Sequence, residues 1–152
     1  MVGRHMSAED RFQTFLAATG TLQVAALLEY YDGLEPVAIE FMLGDWDGGV
    51  LSTGHEGERQ MALVNWVGKT FHSRDDVDPM ITLEAGKERR ANPILGKASL
   101  RMVEFRGTST ATMIYDKHPI FDHFRKIGDD LVMGVMDRKG DAALLFFYLR
   151  RR

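Results

Sequence analysis

Two glycines bracket a tryptophan in Gly44-Asp45-Trp46-Asp47-Gly48, where a polar, helix-leaning first third of the chain gives way to a strand-rich remainder. Glycine lacks Cβ bulk and tolerates positive φ, so the backbone beside the indole can turn sharply while the ring is buried against strands. The placement suits a plug at the base of a β-barrel, or a core tryptophan beside an ordinary turn.

The remainder supplies strands for such a barrel. Segments 99–105, 109–115, 119–127, 131–137 and 142–149 are apolar-rich and separated by Arg106-Gly107, Asp116-Lys117, Gly128-Asp129-Asp130 and Arg138-Lys139-Gly140. Such short connections favour antiparallel neighbours. Strands starting at Trp46, Trp66 and Pro79 bring the total to about eight, a number at which a closed barrel either fills with side chains or holds one small ligand. Residues 58–64 place Met61 and Val64 at helical spacing, and residues 86–93 are charged and turn-rich, a mobile loop at one mouth.

Ahead of the strands, Ser7 and Asp10 resemble a capping box, and Phe12, Phe15 and Leu16 recur on one helical face. A second helix begins near Thr21, carries Leu22, Ala25, Ala26 and Leu28, and stops at Asp32-Gly33 before Pro36. These two helices cap the expected barrel, and residues 38–43 form a tight helical turn. The prediction is a mainly β chain: an antiparallel, lipocalin-like β-barrel of about eight strands with N-terminal capping helices. Residues 6–152 read as a single domain, and residues 1–5 as an expression scar before Met6.

The same pieces, in order, resemble a known family. They are residues 41–48, Thr53-Gly54-His55, Asn65-Trp66-Val67-Gly68-Lys69-Thr70-Phe71, Val77-Asp78-Pro79, residues 116–125, Gly134-Val135-Met136-Asp137 and Phe147-Tyr148-Leu149-Arg150. The series is similar to small bacterial and fungal proteins named for a GXWXG domain, usually joined to a domain of unknown function. The resemblance implies a small lipocalin-like barrel and brings no settled activity.

Composition narrows the function classes. At 152 residues, 45% apolar and 27% charged, the chain suits one soluble domain that buries about two-thirds of its unfolded surface. A formal charge of −3, with basic residues scattered except at Arg150-Arg151-Arg152, gives no reason to expect nucleic acid as a partner. The lack of cysteine excludes disulfides, thiolate nucleophiles and thiolate metal sites. No apolar run approaches the roughly 20 residues of a span, and the start lacks a signal-peptide core, so no membrane insertion and a cytoplasmic location are expected.

The densest chemistry is His118-Pro119-Ile120-Phe121-Asp122-His123-Phe124-Arg125, with Asp137 one strand later. Alternation sets His118, Asp122 and Phe124 on one face and Phe121, His123 and Arg125 on the other. With Phe124 inward, Asp122 is an interior carboxylate that Asp137 could approach, and one of the two would stay protonated as an acid or base. With His123 inward, His123 and Arg125 would favour an anionic ligand. The family pattern, which includes Asp122 and Phe124, leans towards Asp122 inside. Pairing of Asp122 with Arg125 is the purely structural alternative.

No metal or cofactor is expected. The histidines lack short ligand spacing, and nucleotide-binding and nucleophile-elbow motifs are absent. Nitrobindin-like haem barrels carry an axial ligand near the C-terminus, where residues 144–152 contain no histidine. Met102, Met113, Met133 and Met136 with Phe105, Phe124, Phe146 and Phe147 suit either a pocket for an irregular apolar molecule or a packed core. Trp46, Trp66, Tyr115 and Arg125 complete the candidate lining. The expected function is binding of a small hydrophobic or amphipathic molecule of terpenoid, polyketide or fatty acyl type. The alternative is a cofactor-independent isomerase, cyclase or hydrolase using Asp122 with His118, His123 or Asp137, and a solidly filled barrel would leave an interaction domain. Segment 142–149 is apolar on both faces, which fits either a homodimer seam or burial beneath the helices.

Overall fold

A computed structural model describes residues 6–85 and 87–152; the residues read as an expression scar, and Gly86 of the expected loop, lie outside the described residues. Helices α1 (Ala8–Ala17) and α2 (Val24–Asp32) come first, followed by the two-residue strand β1 (Glu35–Pro36) and the single turn α3 (Ile39–Met42). Strand β2 (Gly44–Leu51) leads to helix α4 (Glu56–Leu63), then to β3 (Trp66–Ser73), β4 (Asp76–Glu84) and β5 (Glu88–Ala91). After a 3₁₀ turn at Pro93–Leu95, a meander runs through β6 (Ala98–Phe105), β7 (Thr108–Tyr115), β8 (Ile120–Gly128), β9 (Leu131–Arg138) and β10 (Leu145–Arg151). The loop expected over residues 86–93 is partly strand, because β5 pairs antiparallel with β4 from Ile81↔Ala91 to Glu84↔Glu88.

Eight strands form an antiparallel ring in the order β8-β7-β6-β4-β3-β2-β10-β9, with β9 returning to β8. The seam between β6 and β4 is the thinnest, with one paired position, Val77↔Ala98. Period-two alternation then feeds two cores. Trp46, Phe71, Val77, Leu100, Met113, Phe124, Phe147 and Leu149 fill the interior. Phe12, Leu27, Tyr30 and Tyr31 of the helices pack on Leu51, Ile127, Leu131, Met133, Val135 and Phe146, on the other face of the strands. The helices therefore lie along the ring's flank. That covering accounts within one chain for the two apolar faces of β10, since Leu145, Phe147 and Leu149 join the interior while Phe146 joins the helix layer.

Trp46 closes the interior. Its ring is fully buried, its Nε1–H donates to the Met42 carbonyl of α3 at 2.8 Å, and the Arg151 guanidinium lies 4.3 Å above it. Gly44, with φ of +124°, supplies the turn into β2 that α3 requires. Burying the indole contributes roughly 4–6 kcal/mol of transfer free energy before conformational entropy is subtracted. Gly68 on β3 lets that backbone approach, because a Cβ there would collide with the Trp46 carbonyl oxygen.

Arg125 and His123 are buried polar residues on the helix-covered face. Arg125 is buried beneath α2, donates to the carbonyls of Tyr31 and Asp32 at 3.0 Å and to that of Phe105 at 3.3 Å, and stacks 4.4 Å from the Tyr31 ring. It satisfies the orphan carbonyls at the end of α2. His123 stacks on Phe105 at 4.0 Å and meets the Thr112 hydroxyl at 2.9 Å through Nδ1. Burial pushes its pKa down to about 4, against a smaller opposing pull from Asp137.

Gly68→Ala is expected to destabilise by about 1–3 kcal/mol or more in chemical denaturation, because the colliding atom is backbone and cannot rotate away. His123 binds its proton less readily folded than unfolded, so its contribution is present above pH 6.5 and is lost as pH falls from 6.5 towards 4. The stability difference between wild type and His123→Gln should follow that window, with a slope of at most about 1.4 kcal/mol per pH unit.

Candidate functional site

Phe124 determines which face of β8 looks inward. Its ring meets Phe71 and Phe147 edge-on at 5.8 and 5.9 Å, so Ile120 and Asp122, four and two residues earlier, share the interior. On β3, Phe71 brings Lys69 inward by the same alternation. Asp122 and Lys69 are 2% and 3% exposed, and the Asp122 Oδ2 lies 3.3 Å from the Lys69 Nζ.

The pair is incompletely satisfied. Lys69 Nζ also donates to the Pro79 carbonyl at 3.1 Å, an acceptor it shares with Trp66 Nε1–H at 3.3 Å. Aromatic rings of Trp66, Phe147 and Tyr115 surround the ammonium at 5.4, 5.4 and 5.7 Å, a cation–π box. Among the described residues Asp122 Oδ1 has no hydrogen-bond partner. Burial pushes the Asp122 carboxyl up and the Lys69 amine down, and each partner's charge opposes the other's shift. Burial likewise raises Tyr115 well above the ordinary phenol range, with the Asp122 charge adding to it. Burial disfavours the charged form of both members, and their mutual attraction favours it.

Both groups stand in the wall of a cavity of about 390 Å³. Trp66, Tyr115, Ile120, Met136, Leu145 and Phe147 line it with apolar surface, and His55, Glu56, Gln60, His118, Arg138 and Asp141 supply its polar part. Helix α4 reaches this cavity with its first turn. His55 caps that helix by accepting from the Gly57 N–H at 2.9 Å, and Glu58 returns to the His55 N–H at 2.9 Å. The other ring nitrogen of His55 lies 3.4 Å from Asp141 and 3.2 Å from the Ala143 carbonyl, tying α4 to the β9–β10 connection.

Asp122, His118, Trp66, Tyr115 and Phe147 of the sequence-predicted set converge on the cavity. Trp46, Met113 and Phe124 sit in the interior core. The others stand apart, which corrects the expected lining. Arg125, Met133, Phe105 and His123 belong to the helix-covered face, because they alternate out of phase with the interior residues or lie on that layer. Met102 is 48% exposed, since β6 outruns its single pairing with β4 at Ala98. Asp137 pairs across the outer face with His123 at 3.9 Å and does not approach Asp122, while Arg125 does not pair with Asp122 either. Lys69 was missed by sequence reading. Its signal was present: it shares a strand face with Phe71, where an exposed lysine would not be expected. Among the described residues no group of three or more His, Asp or Glu side chains could hold a metal ion, and no helix is long and apolar enough to cross a membrane.

Residues 29–86 match the GXWXG protein family, and residues 96–151 match a domain of unknown function, DUF4334. A crystal structure of a protein from Thermomonospora curvata is similar at 42% identity and a TM-score of 0.90, covering 97% of this chain and 99% of that one. No curated protein matches the chain. The first matched segment carries β2, β3 and β4 with Lys69, and the second carries β6 to β10 with Asp122. The pair thus joins the two segments across the interior.

Removing one member leaves the other buried and uncompensated. Lys69→Met or Asp122→Leu alone should each cost about 3–5 kcal/mol in denaturant unfolding, whereas the double variant should be near neutral or stabilising by about 1–4 kcal/mol.

Proposed function

Because this chain belongs to the GXWXG family, with the DUF4334 segment completing its ring, we propose that it binds one small amphipathic molecule inside that ring. The observation that carries this reading is a cavity of about 390 Å³ whose wall combines apolar side chains, a polar part and the buried Lys69–Asp122 pair. Pockets of a few hundred Å³, mostly apolar with a few convergent polar groups, are the usual form of small-molecule sites. Apolar burial supplies the affinity, and the Asp122 carboxyl in the cavity wall, with Oδ1 unmatched among the described residues, orients one polar group of the ligand. Molecules of terpenoid, polyketide or fatty acyl type combine these properties.

A second reading rests on the same carboxyl. Asp122 is raised in pKa by burial, faces the cavity and lies against an amine, which are the attributes of a proton-transfer site in a cofactor-independent isomerase, cyclase or hydrolase. His118 also lines the cavity and is the available histidine.

Geraniol and 1-octanol serve as probes of the pocket. Each should raise the unfolding temperature in a concentration-dependent way, by about 2.7 kcal/mol of stabilisation at a hundredfold excess over Kd. Met136→Trp, which fills the cavity from its wall, should abolish the shift while the chain stays folded; a shift that survives this substitution would place the alcohol elsewhere. In Asp122→Asn, affinity retained with turnover lost supports catalysis, and unchanged behaviour leaves a binder.

A further inference from the structure

Resting on the interior-cavity reading, we infer that the molecule taken up carries an aldehyde or ketone and that Lys69 captures it as a covalent imine, with Asp122 as proton donor and then counter-ion. The charge pattern selects the chemical class. A ligand carboxylate would meet the buried carboxyl of Asp122, and a ligand ammonium would meet the buried amine of Lys69. A neutral electrophile meets neither repulsion. It finds an amine and an acid 3.3 Å apart in one cavity wall, with a free carboxyl oxygen beside them.

An unmatched buried polar atom costs about 1–3 kcal/mol; Asp122 Oδ1, His123 Nε2 and Arg125 Nε are such atoms among the described residues, and of the three residues Asp122 lines the cavity. The Asp122 carboxyl is buried in the cavity wall beside Lys69. Lys69 is also distinct among the lysines. It is 3% exposed, whereas the side chains of Lys97 and Lys126 are 51% and 39% exposed. Burial lowers the proton affinity of its amine, as nucleophilic lysines require.

The step balances without an oxidant or reductant. With the proton of the pair on Asp122, the Lys69 lone pair attacks the carbonyl carbon, and a C–N bond forms as the C–O π bond breaks. One amine proton moves to the oxygen, giving a neutral carbinolamine. Asp122 then protonates the hydroxyl, the C–O bond breaks and water leaves. The product is a protonated imine with its positive charge opposite the Asp122 carboxylate and inside the box of Trp66, Tyr115 and Phe147 rings that already surrounds the lysine.

The test uses the whole chain with octanal as the carbonyl probe, sodium cyanoborohydride as the trap and 1-octanol as the non-carbonyl control. Intact mass spectrometry followed by peptide mapping should find one octyl group per chain, on Lys69. Its rate should exceed that of any surface lysine at least about tenfold near neutral pH, where only about one in a thousand surface lysines is uncharged. Saturating 1-octanol should suppress it. Lys69→Arg, or Lys69→Met where arginine is not accommodated, should lose the adduct, while in the wild type a saturating amount of 1-octanol slows but does not redirect the labelling. Asp122→Asn should slow trapping about a hundredfold or more. Octyl groups spread evenly over surface lysines while 1-octanol still binds would overturn the imine and leave the pocket standing. Failure of both octanal and 1-octanol to bind would remove the pocket reading as well.

Discussion

Strand β8 has to satisfy two cores at once, and most of the molecule depends on how it does so. Phe124 locks one face into the ring interior against Phe71 and Phe147, while Arg125 and Ile127 face the helix layer. A slip of one residue would exchange the two sets, drawing a guanidinium into the interior and exposing a phenylalanine to the helices. Arg125 also holds the last carbonyls of α2, so the register of one strand and the position of one helix are set together. Asp122 is interior as a consequence of this arrangement.

Its partnership with Lys69 is costly by ordinary standards. Two charges leave water, and their attraction repays that loss only when every lone pair and proton is matched, which fails at Asp122 Oδ1. The aromatic rings around Lys69 and the Pro79 carbonyl recover part of the cost. The pair stands in the wall of the cavity, so its cost falls where the interior is least filled.

The two family segments are interdependent for the same reason. β2 to β4 and β6 to β10 are each incomplete sheets with an apolar face, and the ring closes through β2 with β10 and β4 with β6. Each segment contributes one charge to the interior, so a fragment holding either alone would keep neither the pair nor the cavity. The β4–β6 seam is thin, while the β2–β10 ladder runs six positions from Phe146↔Leu51 to Arg151↔Trp46 and carries most of the union.

Much of the fold was legible because it follows from local periodicity. The five closing strands, the Ser7 cap, the end of α2 at Gly33 and the burial of Trp46 all come from alternation, turn residues and capping, which operate within a few positions. The same reasoning left open which face of 119–127 looks inward, since both are apolar-rich and carry ionisable groups. Helix packing on one flank closed that choice, drawing His123, Arg125 and Met133 away from the expected lining. By itself, then, the sequence determined the antiparallel strands, the leading helices and the plug, through short-range backbone preferences. Only the tertiary structure decided that Lys69, 53 positions from Asp122 in the chain, would lie 3.3 Å from its carboxyl, because charge pairing across a ring depends on strand order and not on spacing.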